Sequence, residues 1–358
     1  MVKLSIVGIV GLPAAYGGFE TLVDNLVQFF QEKIPDFDTS VYCSGHKSKN
    51  CLYESANLKF IDLKANGVSS VLYDIVSLCS AVKNKSDVIL VLGVSGAIFL
   101  PFVRMFTKSK IIVNIDGIES RRAKWGFIAK LFLEFSEFIA VKMSHSVIAD
   151  NQEISNYVYE KYNAVSIVIP YGGDHAFNVK EELFVGDIPN NFSLSVCRIE
   201  PENNIGMILE SFSLMPDHNL VLIGNWESSD FGNELYVNYS KYHNIYLLDP
   251  IYSTSLLKNI RGRCDYYVHG HSAGGTNPSL VEMMYFDVPI FCFDCKFNRY
   301  TTQDKALFFS TPERLCDLLI HPPEFNSNVL TKIASEQYNW HVVSDAYSSL
   351  IKSTLREK

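Results

Sequence analysis

Hydrophobic positions along the chain follow two patterns, one typical of helices and one typical of buried strands. Between residues 19 and 31, the apolar side chains share the 3.6-residue period of a helix: Leu22, Val23, Leu26, Val27 and Phe30. The runs 88–92 and 111–113 are instead apolar at every position. Central strands of a parallel sheet show this pattern because helices cover both of their faces. Together the two patterns predict an α/β fold.

Such strands and helices alternate in two successive blocks. The first block predicts strands near residues 3–8, 39–43, 58–62, 87–92, 110–114, 145–149 and 165–169, with helices near 19–31, 69–83, 96–107, 123–143 and 151–160. The second predicts strands near 192–197, 219–223, 244–248, 265–268, 288–293 and 307–309, with helices near 203–214, 252–261, 277–286, 311–320 and 327–337. Two blocks predict two doubly wound, Rossmann-like domains, joined by a linker from Pro170 to about Asn191. Ligands of such domains bind beyond the carboxyl ends of the strands, in the cleft between them, so the loops after strands hold the candidate site.

Length and charge narrow the class of protein. The chain has 358 residues, which suits two domains of about 150 residues each. Its net charge of −8 argues against nucleic acid as a partner. The charge is uneven, because the first 175 residues are neutral overall and the remainder carries the whole excess of acid.

Several features predict a cytoplasmic protein. The residues after Met1 lack the basic region and apolar stretch of a signal peptide, so we predict that no signal peptide is present. The longest apolar stretch, 88–103, is interrupted by glycine and proline, which favours a strand, a turn and a helix start over a membrane span. The dispersed cysteines favour free thiols. A zinc or redox pair formed by Cys292 and Cys295 is less favoured, because no second pair stands at zinc spacing.

The loop after the first strand, residues 8–20, is rich in glycine. Gly17 and Gly18 stand at the start of the next helix, where unpaired backbone N–H groups can meet an anion. The alternative is a tight strand–helix turn. A nicotinamide fingerprint is not favoured, because the glycine spacing is wrong and the second strand ends in Cys43-Ser44-Gly45 rather than in an acid.

A second loop, after the strand at 110–114, concentrates charged side chains. Its polar and aromatic residues are Asp116, Glu119, Arg121, Arg122 and Trp125. This composition suits recognition of hydroxyl and charged groups at the edge of a cleft. The alternative is a helix N-cap followed by a solvated face.

Two loops of the second block suit a nucleotide diphosphate. Arg198 follows a strand, where its guanidinium can hold a diphosphate with two parallel hydrogen bonds. Beyond the strand at 265–268, residues 274–277 lead into a helix, and their amides would face an anion. Glu282 lies one turn into that helix and can accept hydrogen bonds from ribose hydroxyls.

His269 and His271 stand two residues apart at the same strand end, which is also a metal-ligand spacing. No further ligand pair is evident. We therefore favour hydrogen-bonding or structural histidines over a metal site.

Four segments of the chain resemble the bacterial rhamnosyltransferase-like branch of the retaining GT-B glycosyltransferases, which build surface polysaccharides such as O-antigen or capsule. In chain order they are 11–20, 116–125, 198–204 and 269–282. The tail from Tyr338 to Leu350 also resembles the C-terminal helix that crosses back onto the first domain of these enzymes. The resemblance implies two Rossmann-like domains facing across a cleft. Residues 1–172 would form the acceptor-side domain, with 340–358 packed back on it, and 173–339 the nucleotide-sugar donor domain.

The resemblance also implies the reaction. The chain would be a hexosyltransferase that moves a sugar, with rhamnose favoured, from dTDP-rhamnose or a UDP-hexose to a hydroxyl of a growing glycan. That glycan would be carried on a polyprenyl diphosphate. Transfer would proceed with retention and without a metal or other cofactor.

Residue roles follow from the motifs and the resemblance together. The predicted catalytic residues are Arg198, which stabilises charge on the leaving diphosphate, and Asp116 and Glu119, which orient hydroxyl groups. The predicted donor-binding residues are Gly17, Gly18, Arg198, Asn203, Gly274, Gly275, Thr276, Asn277 and Glu282. The predicted acceptor-side residues are Glu20, Arg121, Arg122 and Trp125.

Two positions depart from the wider family. Asn203 stands where that family has a lysine on the diphosphate, and Gly274 stands where it has the first of two glutamates. One positive charge is therefore missing, and Arg121, Arg122 or the amides around Gly275 are candidates to replace it. Two alternative functions stay open: a nucleotide-sugar epimerase of the same fold, and a non-catalytic sugar-nucleotide-binding subunit.

One stretch of the first block is basic and aromatic. Residues 82–142 contain ten basic and five acidic side chains, and 125–143 adds Phe127, Ile128, Leu131, Phe132, Phe135 and Phe138. A surface of this kind can rest on an anionic bilayer, which would make the protein peripheral on the inner face of the cytoplasmic membrane. The other interpretation, that these side chains are core, is slightly favoured for most of them.

Overall fold

A computed structural model describes residues 1–14, 17–46, 51–115, 117–121, 125–326 and 328–356, without the side chain of Arg121. The chain divides into two compact units. The N-terminal unit comprises Met1–Pro170 and Trp340–Lys358, and the C-terminal unit comprises Tyr171–Asn339.

The N-terminal unit is an eight-stranded sheet with helices. Its strands are β1 (Val2–Val7), β2 (Phe37–Ser44), β3 (Cys51–Tyr53), β4 (Ala56–Ile61), β5 (Val88–Leu92), β6 (Lys110–Ile115), β7 (Ser146–Ala149) and β8 (Ile167–Val168). Its helices are α1 (Gly18–Lys33), α2 (Ser69–Lys83), α3 (Leu100–Phe106), α4 (Phe127–Met143) and α5 (Gln152–Tyr162). The strand order is β3-β4-β2-β1-β5-β6-β7-β8, and only β3 pairs antiparallel. The apolar strands β5 and β6 lie inside this sheet, and β5 is buried along its whole length.

The C-terminal unit is a six-stranded parallel sheet. Its strands are β9 (Ser193–Val196), β10 (Leu220–Ile223), β11 (Ile245–Leu248), β12 (Tyr266–His269), β13 (Ile290–Phe293) and β14 (Leu307–Phe309), in the order β11-β10-β9-β12-β13-β14. Its helices are α6 (His175–Asn178), α7 (Ile205–Ser213), α8 (Asp230–Tyr239), α9 (Thr254–Arg261), α10 (Pro278–Met283), α11 (Lys296–Thr302), α12 (Pro312–Ile320) and α13 (Asn328–Gln337). Two buried apolar clusters pack this sheet, one containing Leu194 and Tyr267 and the other Leu222 and Val268.

Both sheets have the strand order of a doubly wound fold. In each, the chain builds outward from one central strand, then returns and builds outward on the other side. The two predicted Rossmann-like domains are therefore confirmed.

The last helix, α14 (Trp340–Arg356), belongs to the N-terminal unit. Asn114 on β6 donates a hydrogen bond from Nδ2 to the Tyr347 hydroxyl, and the hydroxyls of Ser146 and Thr354 lie 2.9 Å apart. The C-terminal helix thus returns to the first unit, as the resemblance implies.

The predicted linker is wrong from Tyr171 onward. This stretch contains α6 and is fastened to α9, because Lys258 donates from Nζ to the carbonyls of Phe177 and Val179 at 2.5 and 2.9 Å. Asn259 adds a 2.6 Å bond from Nδ2 to Glu181 Oε1. Its polar residues make these hydrogen bonds, and Tyr171, Phe184 and Ile188 pack against the apolar cluster that contains Leu194.

Candidate functional site

The strand order of the C-terminal unit brings two predicted loops together. Strands β9 and β12 are hydrogen-bonded neighbours, and the order of strands reverses between them. Their carboxyl ends lead into residues 197–204 and 270–277. This is the position at which open α/β sheets bind ligands.

Polar contacts fasten these two loops to each other. Asn204 donates from Nδ2 to the Gly270 carbonyl at 2.8 Å, and Ser272 donates from its backbone N and its hydroxyl to the Glu202 carbonyl at 2.9 and 2.8 Å. A Cβ atom at Gly270 would overlap the backbone oxygen of Asn203. Glycine at 270 is therefore required for the close approach of the loops.

Asn203 links the same loops through its side chain. It is buried, with 4% of its surface exposed. Its Nδ2 donates to the Arg198 carbonyl at 2.7 Å, and its Oδ1 lies 2.7 Å from His271 Nδ1. Both polar atoms of Asn203 therefore bond to the protein itself, whereas the sequence places this residue among the donor-binding groups.

The guanidinium of Arg198 lies at the surface of this edge. Its side chain is 40% exposed, and Nη2 lies 3.6 Å from Glu200 Oε2. Partly exposed ion pairs of this length contribute little to stability. The arginine is therefore accessible to an anionic ligand.

The glycine loop has the geometry predicted for a helix start. Gly274 has a φ of +111°, which side chains other than glycine adopt rarely. Gly275 and Thr276 are buried. Asn277 caps α10, because its Oδ1 accepts a hydrogen bond from the backbone N of Ser279 at 3.0 Å.

Glu282 is held by two residues that the sequence analysis missed. Its Oε2 lies 2.5 Å from Arg261 Nη2, and its Oε1 lies 3.3 Å from His175 Nε2. Burial opposes its charge, but Arg261 and His175 outweigh burial and hold the pKa of Glu282 below its ordinary value. Arg261 ends α9 and His175 begins α6, so no local motif in the sequence marks either of them.

His269 is fully enclosed at the end of β12. Burial, together with the neighbouring imidazole of His271, lowers its pKa well below the usual value, so His269 is neutral. Within the described residues, no group of three or more His, Cys, Asp or Glu is placed to hold a metal ion. All eight cysteines have free thiols.

The glycine loop of the N-terminal unit is organised by a buried acid. Gly17 and Gly18 stand at the start of α1, and Glu20 Oε1 accepts a hydrogen bond from the backbone N of Val10 at 2.7 Å. Burial raises the pKa of Glu20, although its backbone hydrogen bonds act against that rise. Glu20, predicted on the acceptor side, is thus a buried support for this loop.

Asp74 is a second buried acid at this edge that the sequence analysis missed. It lies on α2 and accepts a hydrogen bond from the hydroxyl of Ser95, in the loop after β5. Burial raises its pKa to about 6, although its hydrogen bonds to Ser95 and Gly96 oppose that rise. Since β5 is the neighbour of β1, Asp74 and Glu20 support adjacent loops.

The charged loop after β6 is described in part. Trp125 donates from Nε1 to Glu119 Oε2 at 3.2 Å, so these two predicted residues are together. Asp116 and Arg122 lie outside the described residues. Arg121 lies in the short 3-10 turn Glu119–Arg121, without a described side chain.

Helices α3 and α4 expose apolar side chains, contrary to the favoured prediction that most of those on α4 are core. The exposed side chains are Phe102, Met105, Phe106, Phe127, Ile128, Leu131, Phe135 and Phe138. We call this set the α3–α4 surface. Among the described helices, none is long and apolar enough to span a membrane.

Comparisons with known proteins agree with this architecture. A family model described as a domain of unknown function, DUF1972, matches residues 1–174. No curated protein matches the chain. Sucrose-phosphate synthase from Thermosynechococcus elongatus has a similar structure, with a TM-score of 0.77, 12% identity and 99% of each chain covered.

Two further solved structures are similar. Anabaena HepE, solved with UDP and glucose, has a TM-score of 0.74 and 11% identity over 99% of this chain and 100% of that one. A Listeria monocytogenes protein described as a UDP-N-acetylglucosamine 2-epimerase has a TM-score of 0.63 and 14% identity over 99% and 97%. The chain therefore has the two-domain GT-B fold of glycosyltransferases, which the epimerase structure shares.

Proposed function

We propose that this chain is a glycosyltransferase that takes a sugar from a nucleotide diphosphate and transfers it to a hydroxyl of a glycan. The observation that carries the proposal is the edge formed by β9 and β12. There an accessible arginine, a positive-φ glycine loop and a buried ionised glutamate follow two adjacent strands. The similarity of the fold to HepE, whose solved structure contains UDP and glucose, supports it.

Each group has a role in this proposal. Arg198 and the amides of residues 274–277 bind the diphosphate, and Glu282 accepts hydrogen bonds from ribose hydroxyls. Negative charge grows on the diphosphate as the glycosidic bond breaks. Arg198 then lowers the barrier because its charge is fixed where the new charge develops.

We further propose that the reaction retains the anomeric configuration and needs no metal. The acceptor hydroxyl attacks from the face that the diphosphate leaves, and the leaving phosphate takes its proton. Asp116, Glu119 and Trp125 recognise the acceptor, together with Arg121 and Arg122. Rhamnose from dTDP-rhamnose is the favoured sugar, and a polyprenyl-diphosphate-linked surface glycan is the favoured acceptor.

A donor screen followed by product analysis tests this function. Saturation with the true donor at 100 times its Kd should stabilise the folded chain by about 2.7 kcal/mol, which a thermal shift detects. With donor and membrane-extracted acceptor, the products should be a nucleoside diphosphate and a glycan longer by one sugar. Stabilisation by no nucleotide sugar would contradict the proposal.

The epimerase alternative gives a different product. An epimerase of this fold converts the donor without any acceptor, so incubation with donor alone separates the two. Appearance of an epimeric sugar in that incubation would replace our proposal. Binding of donor without any product would instead identify a non-catalytic binding subunit.

We propose peripheral contact with an anionic membrane as a second property of the N-terminal unit, in a cytoplasmic protein. The α3–α4 surface supports it, because Phe127 and Ile128 are 76% and 83% exposed at the start of α4. Arg104 and Lys130 on these helices are basic. The exposed acid Glu134 lies 3.6 Å from Lys161, which offsets its charge. Apolar side chains flanked by bases match a bilayer with anionic headgroups.

Vesicle sedimentation tests this contact. The chain should bind vesicles that contain phosphatidylglycerol, and added salt should weaken the binding. Substituting both Phe127→Ser and Ile128→Ser should weaken it at least tenfold, because burying each large apolar side chain contributes about 1.5–3 kcal/mol. Val237→Ser, an exposed apolar position on α8, is the matched control. Equal binding by all three proteins would refute the contact.

A further inference from the structure

The hydrogen bonds of Asn203 determine which nitrogen of His271 carries a proton. Asn203 Nδ2 donates to the Arg198 carbonyl, so the other amide atom, Oδ1, can only accept. Oδ1 lies 2.7 Å from His271 Nδ1, which must therefore be the donor. Because Nδ1 keeps its proton in both forms of the ring, any change in the charge of His271 takes place at Nε2.

Nε2 of His271 lies at the glycine loop. A Cβ atom built on Gly274 would lie 3.3 Å from it. The titrating nitrogen thus stands beside the loop that we assign to the donor diphosphate.

Several titratable or polar groups surround the imidazole of His271. The ring of His269 on β12 lies 6.1 Å away, and burial keeps it neutral. Cys295 Sγ lies 3.7 Å from the His271 carbonyl oxygen, and burial raises the pKa of this thiol, so it too is neutral. On the loop after β9, Arg198 and Glu200 offset each other at 3.6 Å. The negative charge of a diphosphate bound here would therefore dominate the electrostatic potential at the imidazole of His271.

We propose that His271 supplies a positive charge to the donor diphosphate. When the nucleotide diphosphate binds, Nε2 takes up one proton from solvent and donates a hydrogen bond to the diphosphate. The proton returns to solvent when the product leaves. Asn203 is a positioning residue that holds the ring through Nδ1 and ties it to the Arg198 loop. The inference rests on the proposed donor site.

This inference predicts proton uptake on ligand binding. An anion beside an imidazole favours the charged ring, so the affinity for nucleoside diphosphate should be highest at low pH. It should weaken by up to about tenfold per pH unit over the range in which the unbound ring has lost its proton and the bound ring still keeps it.

Calorimetry with UDP and dTDP in two buffers of different ionisation enthalpy measures this uptake. The unaltered chain should take up a fraction of a proton that approaches one near neutral pH. His271→Gln should abolish the uptake and weaken binding at least tenfold at pH 6. His243→Gln, an exposed position, should change neither quantity.

Two variants of Asn203 separate the effect of charge near His271 from the effect of side-chain packing. Asn203→Asp keeps an acceptor for Nδ1 and adds a negative charge, which favours the charged ring before ligand arrives. It should reduce proton uptake and shift the pH dependence of binding to higher pH. Asn203→Lys with His271→Gln restores a fixed charge and should bind without proton uptake.

The outcomes distinguish the inference from the proposed function. Binding by the unaltered chain without proton uptake, and equally by His271→Gln, would overturn the inference and leave the proposed function standing. Absence of binding to any nucleoside diphosphate would overturn both.

Discussion

Both units place buried acids near the carboxyl ends of their central strands, but the pKa values of these acids shift in opposite directions. In the C-terminal unit, Glu282 has a lowered pKa because Arg261 and His175 outweigh its burial. In the N-terminal unit, burial raises the pKa of both Glu20 and Asp74. Doubly wound topology decides where loops converge, and the basic side chains placed there decide the local charge.

This difference assigns complementary ligand chemistry to the two edges. Loops 197–204 and 270–277 contain Arg198 and His271 as well as the acids Glu200 and Glu202, whereas loops 8–17 and 93–96 contain no lysine or arginine. Arg198 and His271 suit a diphosphate. An edge whose loops carry no lysine or arginine suits uncharged groups such as sugar hydroxyls, which can exchange hydrogen bonds with it.

Substituting Arg261, the cationic partner of Glu282, should produce the largest change in the free energy of unfolding. Arg261→Met leaves a buried carboxylate without its cation, which costs about 3–5 kcal/mol of the free energy of unfolding. Urea unfolding near pH 7.5 measures the loss. Arg314→Met, which breaks the exposed pair with Asp317, should cost at most about 1 kcal/mol.

The loss of unfolding free energy in the Arg261→Met variant should be smaller at acidic pH. The lowered pKa of Glu282 adds stability that is present above the pKa of an unfolded glutamate and is lost as pH falls through the folded value. A loss that is equally large at pH 3.5 and pH 7.5 would show that charge pairing is not its cause.

Forcing apart loops 197–204 and 270–277 of the C-terminal unit should have an intermediate effect on the free energy of unfolding. Gly270→Ala places a Cβ against the Asn203 backbone oxygen, and overpacking of this kind costs about 1–3 kcal/mol. It should also weaken nucleotide binding, because the two loops must separate. Gly206→Ala is the matched control, since a Cβ there meets no atom within 4 Å and alanine favours the helix α7. Equal nucleotide affinity in both variants would show that loop spacing is unimportant.

Substituting Asp74 should give the smallest change in the free energy of unfolding. Its dependence on pH should be opposite to that of the Arg261→Met variant. Its folded pKa of about 6 lies above the ordinary value of 3.8, so the contribution of Asp74 to stability is greatest below pH 4 and falls as pH rises through about 6. Asp74→Asn should remove this slope. The shift of about two pKa units corresponds to about 3 kcal/mol at pH 7.5, and the weaker hydrogen bonding of the neutral amide to Ser95 and Gly96 takes back about 1 kcal/mol, so the net gain should be about 2 kcal/mol. Urea unfolding from pH 4 to 7.5, with the exposed Asp317→Asn as control, measures it. Parallel pH profiles for the original chain and Asp74→Asn would refute the assignment.

Sequence patterns predict most of the fold because most elements carry their own periodicity. The strands with continuous apolar runs, such as β5, lie where expected. The short or polar elements β3, α6, α8 and α11 were missed, since too few apolar positions mark their period. Helix 203–214 begins later, at Ile205, because Asn204 has a φ of +48° and interrupts it after a 3-10 turn.

Candidate site residues were predictable only where a loop motif carries them. Arg198 and Gly274 follow strands and could be placed at one edge from topology alone. The Glu282 partners could not, since Arg261 and His175 meet it through tertiary packing of three helices. The exposure of Phe127 and Ile128 was equally hidden, because apolar composition is the same for a core helix and a docking helix.

The central claim is that Arg198, at the edge of the C-terminal unit formed by β9 and β12, stabilises a leaving nucleoside diphosphate. Steady-state turnover of the donor identified by thermal shift, with its acceptor, tests it most directly in Arg198→Ala. We predict a fall in kcat of about 10²-fold or more, with unaltered folding, because the lost interaction acts mainly in the transition state. Arg314→Ala on α12 should turn over normally. Turnover by Arg198→Ala within twofold of the original chain would contradict the account.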